Sequence, residues 1–344
     1  MIEQTPIPRL MRAAVCEGGP GGRVVVREVP VPVPGPGEVL LRVDRAGLNR
    51  HDLFVLDRAD DTVRGLVLGS DAVGEVVACS PGVDDAMLGR SVIVNPCLGW
   101  SDPARPPLVP EVLGDPRPGT LAEYVALPWE NVVPAPAHLK PDEAAGLGLA
   151  AMTAYRALFS QGGVADGTRV LITGAGGGVA GLAITLAHAA GAWVATTSRS
   201  TRALEHAAAL GADAGVLDAA DWSAELGAVD VVLDSVGAPA FPRALRALRP
   251  GGRLVSFGAT VGALTALDLR DLFFRQVSVT GSSMASAPEF AAMLAFVERH
   301  RIRPPVGAVH DLDDVETALA DLRDGASLGK VVVRITRTAT EEKR

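Results

Sequence analysis

A run of four polar residues carries the densest group of reactive side chains in the sequence. The stretch AGLNRHDLF places an amide, a guanidinium, an imidazole and a carboxylate at positions 49–52, and a second polar pair, Ser70-Asp71, follows in LGSDAVGEV. Imidazole and carboxylate groups are common metal ligands, and imidazole also exchanges protons near neutral pH. The two stretches therefore indicate either a metal site or a site of proton transfer.

A glycine-rich loop is the second chemically informative feature. In RVLITGAGGGVAG, a predicted strand ends at Thr173 and a predicted helix follows the glycines directly. Glycines let the backbone approach a pyrophosphate, which the N–H groups of a helix N-terminus attract. A plain turn without a ligand is the alternative, but the position between a strand and a helix favours a dinucleotide site. The predicted contacts are Gly174, Gly176, Gly177, Gly178 and Val179.

The end of the next predicted strand indicates which dinucleotide binds. Sheets that bind NAD place Asp or Glu there to hold the ribose hydroxyls. This chain has Ser198, Arg199 and Arg202 in that region and no carboxylate. Two guanidinium groups would pair with a 2′-phosphate, so these residues predict NADP(H). The alternative is that both arginines lie on the solvated start of a helix.

The remaining elements must hold these two sites in place. Residues 11–135 contain short Val-rich runs separated by Gly and Pro turn signals, which predicts a β-rich domain. From about 141 to 283, apolar strands alternate with Ala-rich helices, the pattern of a doubly wound parallel α/β sheet. The predicted domains are 1–150 together with 284–344, and 151–283, with residues 1–10 as an N-terminal arm.

Composition limits the partners and the compartment. A net charge of −8 argues against nucleic acid or an anionic membrane surface as the main partner. Cys16, Cys79 and Cys97 are too few and too scattered for a disulfide framework, and the N-terminus has no apolar secretory segment. The run 170–198 lacks charge, but its glycines favour a buried strand–turn–helix–strand over a membrane span. The chain is therefore predicted to be cytoplasmic and to have no membrane contact.

The order of these features, together with several motifs, resembles the medium-chain dehydrogenase/reductase family. The motifs are LGSDAVGEV, GTLAEYVALP, MTAYRAL, TGAGGGVAG, VDVVLDSVG, LRPGGRLVSFGAT, LFFRQVSVTGSSM and GKVVVRI. Within the family, the chain is similar to the quinone oxidoreductase-like branch, beside the zinc-type alcohol dehydrogenase-like proteins. The resemblance covers nearly the whole chain and implies a GroES-like catalytic domain and a Rossmann domain.

The resemblance also bears on the metal. The positions that match the catalytic zinc ligands of the family's alcohol dehydrogenases are Asn49, Ser70 and Leu149. A catalytic zinc needs about three N, S or O ligands from the protein, which these residues do not supply. The cysteine-rich lobe of the structural zinc would lie in 97–119, where only Cys97 is present. The sequence therefore predicts a protein without zinc.

The same resemblance assigns catalytic roles to the polar cluster. Quinone oxidoreductase-like members carry the Asn and Asp of this stretch, which implies that Asn49 reaches the nicotinamide ribose or the substrate oxygen. His51 occupies the position of a proton-relaying Ser or Thr, and an imidazole there would donate a proton to the reduced product. The alternative for His51 is a hydrogen bond within its own loop. Asp71 matches a carboxylate that is expected to be structural.

Further positions follow from the family motifs. Thr153 is expected beside the nicotinamide, and Tyr155 near the floor of the active site as a third catalytic residue. Gly237 and the turn Gly258-Ala259-Thr260 each follow a predicted sheet strand. They are expected to line the ribose and nicotinamide side of the cofactor.

Together the residues and the resemblance predict an NADPH-dependent, zinc-independent oxidoreductase. Its expected substrates are small molecules, either quinones or C=C bonds conjugated to a carbonyl. The alternatives are an alcohol dehydrogenase or ketoreductase of the same fold, and an NADPH-binding protein without activity. Loops around 54–65 and 262–290 match no specificity motif, so the prediction is a substrate class rather than one compound. The family also implies a homodimer paired through SVTGS.

Overall fold

The computed structural model describes residues 6–18, 22–58 and 63–336. The chain divides into two compact units. The first comprises Met1–Leu149, Ser286–Ala291 and Val306–Arg344, and the second comprises Ala150–Ala285 and Ala292–Pro305. Residues 1–5 of the expected N-terminal arm, and the tail 337–344, lie outside the described residues.

The first unit is built mainly from strands. In its described residues, the main sheet runs in the order β10-β5-β4-β3-β18-β17, with β9 also paired to β3, while β1-β2 and β6-β7-β8 form two smaller sheets. Its helices are α1 (Arg50–Asp57), α2 (Pro141–Ala145) and α10 (Val315–Asp324). The strands are β1 (Leu10–Cys16), β2 (Val24–Pro30), β3 (Glu38–Gly47), β4 (Asp71–Cys79), β5 (Ser91–Val94), β6 (Cys97–Leu98), β7 (Glu111–Leu113), β8 (Pro116–Arg117), β9 (Tyr124–Pro128), β10 (Val132–Pro134), β17 (Val306–Asp311) and β18 (Lys330–Arg334).

Strand β3 shows why this sheet forms. Val39, Leu41 and Val43 alternate along it and are fully buried in one core cluster, as the two-residue period of a strand requires. Aromatic residues make up only 4% of the sequence, so aliphatic side chains build this core. Burying each one stabilises the fold by about 1.5–3 kcal/mol. Because β3 ends at Gly47, the polar cluster begins where the central strand leaves the sheet.

The second unit contains the parallel sheet. In residues 150–285 and 292–305, all of which the structure describes, the strand order is β13-β12-β11-β14-β15-β16, and every neighbouring pair is parallel. This confirms the predicted doubly wound sheet. The strands are β11 (Arg169–Ile172), β12 (Trp193–Ser198), β13 (Ala214–Leu217), β14 (Val229–Asp234), β15 (Leu248–Ser256) and β16 (Ser278–Gly281). The helices are α4 (Gly178–Ala189), α5 (Thr201–Ala209), α6 (Trp222–Leu226), α7 (Phe241–Ala247) and α8 (Leu269–Arg275).

Two helices, α3 (Gly148–Tyr155) and α9 (Ala287–Arg299), span the unit boundaries. From the sequence, all of 284–344 is predicted to belong to the first domain. In the structure, residues 292–305 belong to the second unit. The reason is aromatic packing. The ring of Phe296 lies 5.3 Å from that of Phe159 and 6.3 Å from that of Tyr155, between centroids. Helical periodicity reveals that α9 has an apolar face but not which core that face joins.

The uncharged run 170–198 is the predicted strand–turn–helix–strand. It consists of β11, the glycine loop, α4, a turn and β12. Among the described residues, the structure contains no helix with both the length and the apolar character needed to cross a membrane.

Candidate active site and nucleotide loop

The polar cluster forms at the start of α1. Asn49 is the N-cap residue, and its backbone N–H donates to Oδ2 of Asp52 at 2.7 Å. The other oxygen of Asp52 accepts from the N–H of Gly69 at 3.0 Å. Asp52 is fully buried, and burial raises its pKa against the lowering effects of His51 and of the Asn49 N–H. Asp52 therefore joins the helix start to the loop that precedes β4.

The side-chain amide of Asn49 is held on both sides. Its Oδ1 accepts a hydrogen bond from Nζ of Lys330 at 2.5 Å, and its Nδ2 donates to Oγ of Ser70 at 3.0 Å. A longer contact of 3.5 Å runs from Nδ2 to the carbonyl of Gly47. Asn49 is 5% exposed and Ser70 is fully buried. The amide thus has one defined orientation, with its oxygen toward the ammonium.

A buried ion pair lies beside this amide. Nζ of Lys330 is 3.2 Å from Oδ2 of Asp71, and the two side chains are 2% and 1% exposed. Lys330 also donates to the carbonyl of Leu48 at 2.7 Å, and Oδ1 of Asp71 accepts from the N–H of Leu149 at 2.7 Å. Lys330 was not predicted as a site residue and entered the sequence analysis only as part of the motif GKVVVRI. Its signal was a cation at the head of an otherwise apolar run.

His51 differs from its neighbours because its ring has an unused nitrogen. The residue is half-buried, its Nε2 is buried, and that atom has no hydrogen-bond partner among the residues that the structure describes. The predicted alternative, a hydrogen bond within its own loop, is not formed by Nε2 in the described chain. A buried imidazole nitrogen without a partner is suited to binding or protonating a ligand. The adjacent Arg50 is exposed.

The residues at the positions of the zinc ligands do not fit a metal. Asn49 and Ser70 are hydrogen-bonded to each other, and Leu149 offers only an apolar side chain. Cys97 is buried, and burial raises the pKa of its thiol to about 12, which disfavours the thiolate that zinc requires. Within 6–18, 22–58 and 63–336, no three His, Cys, Asp or Glu side chains are grouped as metal ligands.

The glycine loop joins β11 to α4. The N–H groups of Gly174 and Ala175 both donate to the carbonyl of Thr197, which fastens the loop to the end of β12. Gly174 has a φ of +75°, a conformation that favours glycine. Gly177 is the N-cap of α4, so the N–H groups of the first helical turn, at 178–180, have no acceptor within the helix. This arrangement fits the pyrophosphate of a dinucleotide.

The predicted 2′-phosphate residues lie where β12 passes into α5. Ser198 is buried, and its Oγ accepts from the N–H of Ser200 at 3.1 Å. Arg199 and Arg202 are exposed. Neither guanidinium has an ion-pair or hydrogen-bond partner in the described part of the chain, unlike Arg169 and Arg249 in the same unit. Both positive charges are therefore available to an anion.

A carboxylate that the sequence analysis missed organises the ends of β11 and β14. Oδ1 of Asp234 accepts from the hydroxyl of Thr173 at 2.7 Å and from the N–H of Val236 at 3.1 Å, and Oδ2 accepts from the N–H of Gly237 at 3.2 Å. Burial raises the pKa of Asp234, and these three hydrogen bonds oppose the rise. Asp234 thereby fixes the loop that carries Gly237.

The loops after β14 and β15 meet each other. A Cβ on Gly237 would lie 2.3 Å from the carbonyl oxygen of Gly262, so only glycine fits there. The N–H and the hydroxyl of Thr260 both donate to the carbonyl of Ser235, at 3.1 and 2.9 Å. The predicted turn Gly258-Ala259-Thr260 is thus held beside Gly237, at the carboxyl edge of the parallel sheet where ligands bind in such folds.

The two predicted residues of α3 lie at its end. Thr153 is buried. The ring of Tyr155 packs against Phe159, with 4.8 Å between centroids, and against Phe296. The catalytic role of Tyr155 stays a prediction.

Comparison with known proteins agrees with this architecture. The model for the alcohol dehydrogenase GroES-like domain matches residues 35–137, and the model for zinc-binding dehydrogenases matches residues 178–299. The zinc-type alcohol dehydrogenase-like protein YogA of Leptosphaeria maculans is 33% identical over 334 residues, which cover 88% of this chain and 92% of that protein.

Two solved structures are similar over nearly their whole length. An NAD-dependent alcohol dehydrogenase is 36% identical with a TM-score of 0.88, over 95% of this chain and 100% of that one. A variant of the crotonyl-CoA carboxylase/reductase AntE in complex with NADP is 25% identical with a TM-score of 0.88, over 98% of this chain and 97% of that one. With a GroES-like unit, a Rossmann sheet and these relatives, the chain belongs to the medium-chain dehydrogenase/reductase family of oxidoreductases.

Proposed function

We propose that the chain is an NADPH-dependent, zinc-independent reductase of quinones or of C=C bonds conjugated to a carbonyl. The observation that carries the proposal is the hydrogen-bonded cluster of Asn49, Ser70 and Lys330, in which Asn49 and Ser70 stand at two of the positions that match zinc ligands. The Ser70 hydroxyl offers a hydrogen-bond donor where zinc alcohol dehydrogenases have a Lewis acid.

The choice of NADPH rests on the unpaired arginines after β12. Arg199 and Arg202 are exposed cations with no partner in the described residues, and no carboxylate occupies that turn. A 2′-phosphate pairs well with such guanidinium groups. The AntE structure contains NADP, which supports the same choice. The cofactor would lie on the glycine loop and supply a hydride to the substrate.

The substrate class follows from what the first unit can stabilise. Addition of a hydride to a quinone or an enone leaves a negative charge that is delocalised onto the substrate oxygen. Donors such as the Ser70 hydroxyl stabilise a charge of this kind without a metal. A proton must then be added, and Nε2 of His51 is a buried nitrogen with no partner in the described residues. Hydride addition to an isolated ketone gives an alkoxide whose charge is not delocalised. Reduction of such a ketone therefore depends more on a Lewis acid than reduction of a quinone or an enone does.

An alcohol dehydrogenase or ketoreductase is the second candidate, because an NAD-dependent alcohol dehydrogenase is among the similar structures. NADPH oxidation by the purified protein, measured with a 1,4-quinone, a 2-enone and a simple ketone, separates the candidates. We expect turnover with the quinone or the enone and little with the ketone. Turnover with the ketone alone would favour the second candidate, and turnover with none would contradict a reductase of either kind.

We further propose that the chain forms a homodimer through the edge of the parallel sheet. Strand β16 is the last strand of that sheet, and Val279 on it is 41% exposed. The neighbouring helix α8 exposes Leu269, Phe273 and Phe274, of which Phe274 is 75% exposed. An unpaired strand edge next to exposed aromatic rings is the kind of surface that a second copy covers.

A further inference from the structure

We propose that Lys330 is a positioning residue that sets the orientation of the Asn49 amide and, through it, makes the Ser70 hydroxyl a hydrogen-bond donor. The inference rests on the proposed function in one respect, which is that a donor at Ser70 serves the negatively charged oxygen of the reduced substrate. The orientation itself follows from contacts within the first unit.

The three hydrogens of the Lys330 ammonium all have acceptors. These are the carbonyl of Leu48 at 2.7 Å, Oδ1 of Asn49 at 2.5 Å and Oδ2 of Asp71 at 3.2 Å. An ammonium group donates but cannot accept. The atom of Asn49 that faces Lys330 must therefore be its oxygen, because the amide nitrogen would bring two donors together.

This orientation decides the role of Ser70. With Oδ1 held by Lys330, Nδ2 of Asn49 donates to Oγ of Ser70, and the hydroxyl proton of Ser70 cannot point back at Asn49. The proton is then directed to another acceptor, which in the proposed reaction is the substrate oxygen, and this contact requires a movement that uncovers the fully buried Ser70. The ammonium also polarises the amide, and hydrogen bonds linked in series strengthen one another. If the amide flipped, Oδ1 would accept the Ser70 proton and the donor would be lost.

Stability alone is a poor explanation for the charge at Lys330. Replacing a buried ion pair with well-packed hydrophobic residues of similar volume is often neutral for stability or stabilising, whereas removing one partner alone leaves a buried charge unpaired. Asp71 also has a second partner, since its Oδ1 accepts from the N–H of Leu149. A neutral pair should therefore keep the fold while removing the group that orients Asn49.

The test is the double variant Asp71→Asn/Lys330→Met, with the single variant Ser70→Ala. The matched control is Arg45→Met/Asp142→Asn, which removes another ion pair of the first unit, 2.8 Å between Nε and Oδ1. We expect the neutral pair to melt near the wild type and to lose about 10²-fold in turnover, the scale of a lost oxyanion donor, with NADPH affinity unchanged. Adding Ser70→Ala to the double variant should cause little further loss of turnover. Wild-type turnover in the neutral pair would overturn the proposal.

A second readout does not depend on activity. In ¹⁵N-labelled protein, the side-chain NH₂ resonances of Asn49 should move in Asp71→Asn/Lys330→Met and in Ser70→Ala, and stay in place in the control. Unmoved resonances in the neutral pair would show that Lys330 does not orient the amide. If the wild type reduces neither a quinone nor an enone, the proposed function fails, while this measurement still decides the role of Lys330.

Discussion

The side-chain amide of Asn49 donates to the hydroxyl of Ser70, with 3.0 Å between Nδ2 and Oγ. The two residues match two metal ligands of the family's zinc alcohol dehydrogenases, yet here each satisfies the other. The pair offers a hydrogen bond in place of two metal ligands, and the proposed function is that this site acts through a hydrogen-bond donor rather than through a Lewis acid.

The first prediction concerns metal content. Asn49, Ser70 and Leu149 do not supply a zinc ligand set, so purified protein that has not been exposed to chelators should contain no stoichiometric zinc by elemental analysis. EDTA should leave turnover intact. One zinc per chain, or activity that EDTA removes and zinc restores, would show that ligands come from elsewhere in the chain.

The second prediction concerns the guanidinium group of Arg199. A hydrogen bond to a charged group contributes about 1.5–3 kcal/mol, so Arg199→Ala should weaken NADPH binding by roughly tenfold or more. Binding of NADH, which lacks the 2′-phosphate, should barely change and serves as the internal control. Arg202→Ala should act in the same direction. Equal losses for both cofactors would mean that the arginine supports folding rather than phosphate binding.

The third prediction separates His51 from Asn49. His51→Gln keeps a hydrogen-bonding side chain without the titratable proton, and it should slow enone reduction by about 10²–10⁴-fold if His51 is the general acid. Quinones should suffer less, because a hydroquinone anion takes its proton from water. Asn49→Ala should lower turnover with both substrates while NADPH still binds. Rates of the wild type and of both variants, measured from pH 5.5 to 8.5, test this. An unchanged profile in His51→Gln would assign the proton to solvent.

The fourth prediction uses the buried Asp234. Its pKa is raised by burial, so the folded protein keeps this proton to a higher pH than the unfolded chain does. The stabilisation that this raised pKa gives the folded state is therefore complete below about pH 4, near the ordinary pKa of an Asp side chain. It is lost as pH rises through the raised pKa of Asp234. Urea unfolding of the wild type and Asp234→Asn from pH 4.5 to 7.5 measures this. The free energy of unfolding of the wild type, minus that of Asp234→Asn, should decrease as pH rises. A difference that stays constant or increases with pH would refute the prediction.

The fifth prediction concerns the exposed rings of α8. If the edge of β16 pairs with a second copy, Phe274→Asp places a charge in an apolar interface and should shift the protein toward monomer in sedimentation experiments. Leu108→Asp is the matched control, since Leu108 is a fully exposed apolar residue of the first unit rather than of the second. A wild type that is already monomeric, or a Phe274→Asp protein that dimerises as tightly as the control, would exclude this interface.

The parts of the structure that could be predicted from the sequence are those determined by residues that lie close together in the chain. The glycine loop, α4 and the strands around it have local signals, namely glycine spacing and the change from strand to helix periodicity. The only local signal of Lys330 is a cation at the start of an apolar run, and its role does not follow from that signal because its partner Asp71 is 259 positions away and only the fold brings them together. Asp234 was overlooked for the same reason, as its acceptor role depends on Thr173, which directly follows the neighbouring strand β11.

The position of β18 has a consequence for how the protein is made. This strand carries Lys330 and lies against β3, with Val332 opposite Gly47. Residues 150–285, the larger part of the second unit, are synthesised between these two strands. N-terminal domains usually fold first on the ribosome, but here the first unit lacks a central strand until nearly the whole chain has emerged. We expect the Rossmann unit to fold first and the first unit to complete its main sheet only after β18 has been synthesised. Until then, the side chains of Asn49 and Asp71 lack Lys330 as a partner and are exposed to water.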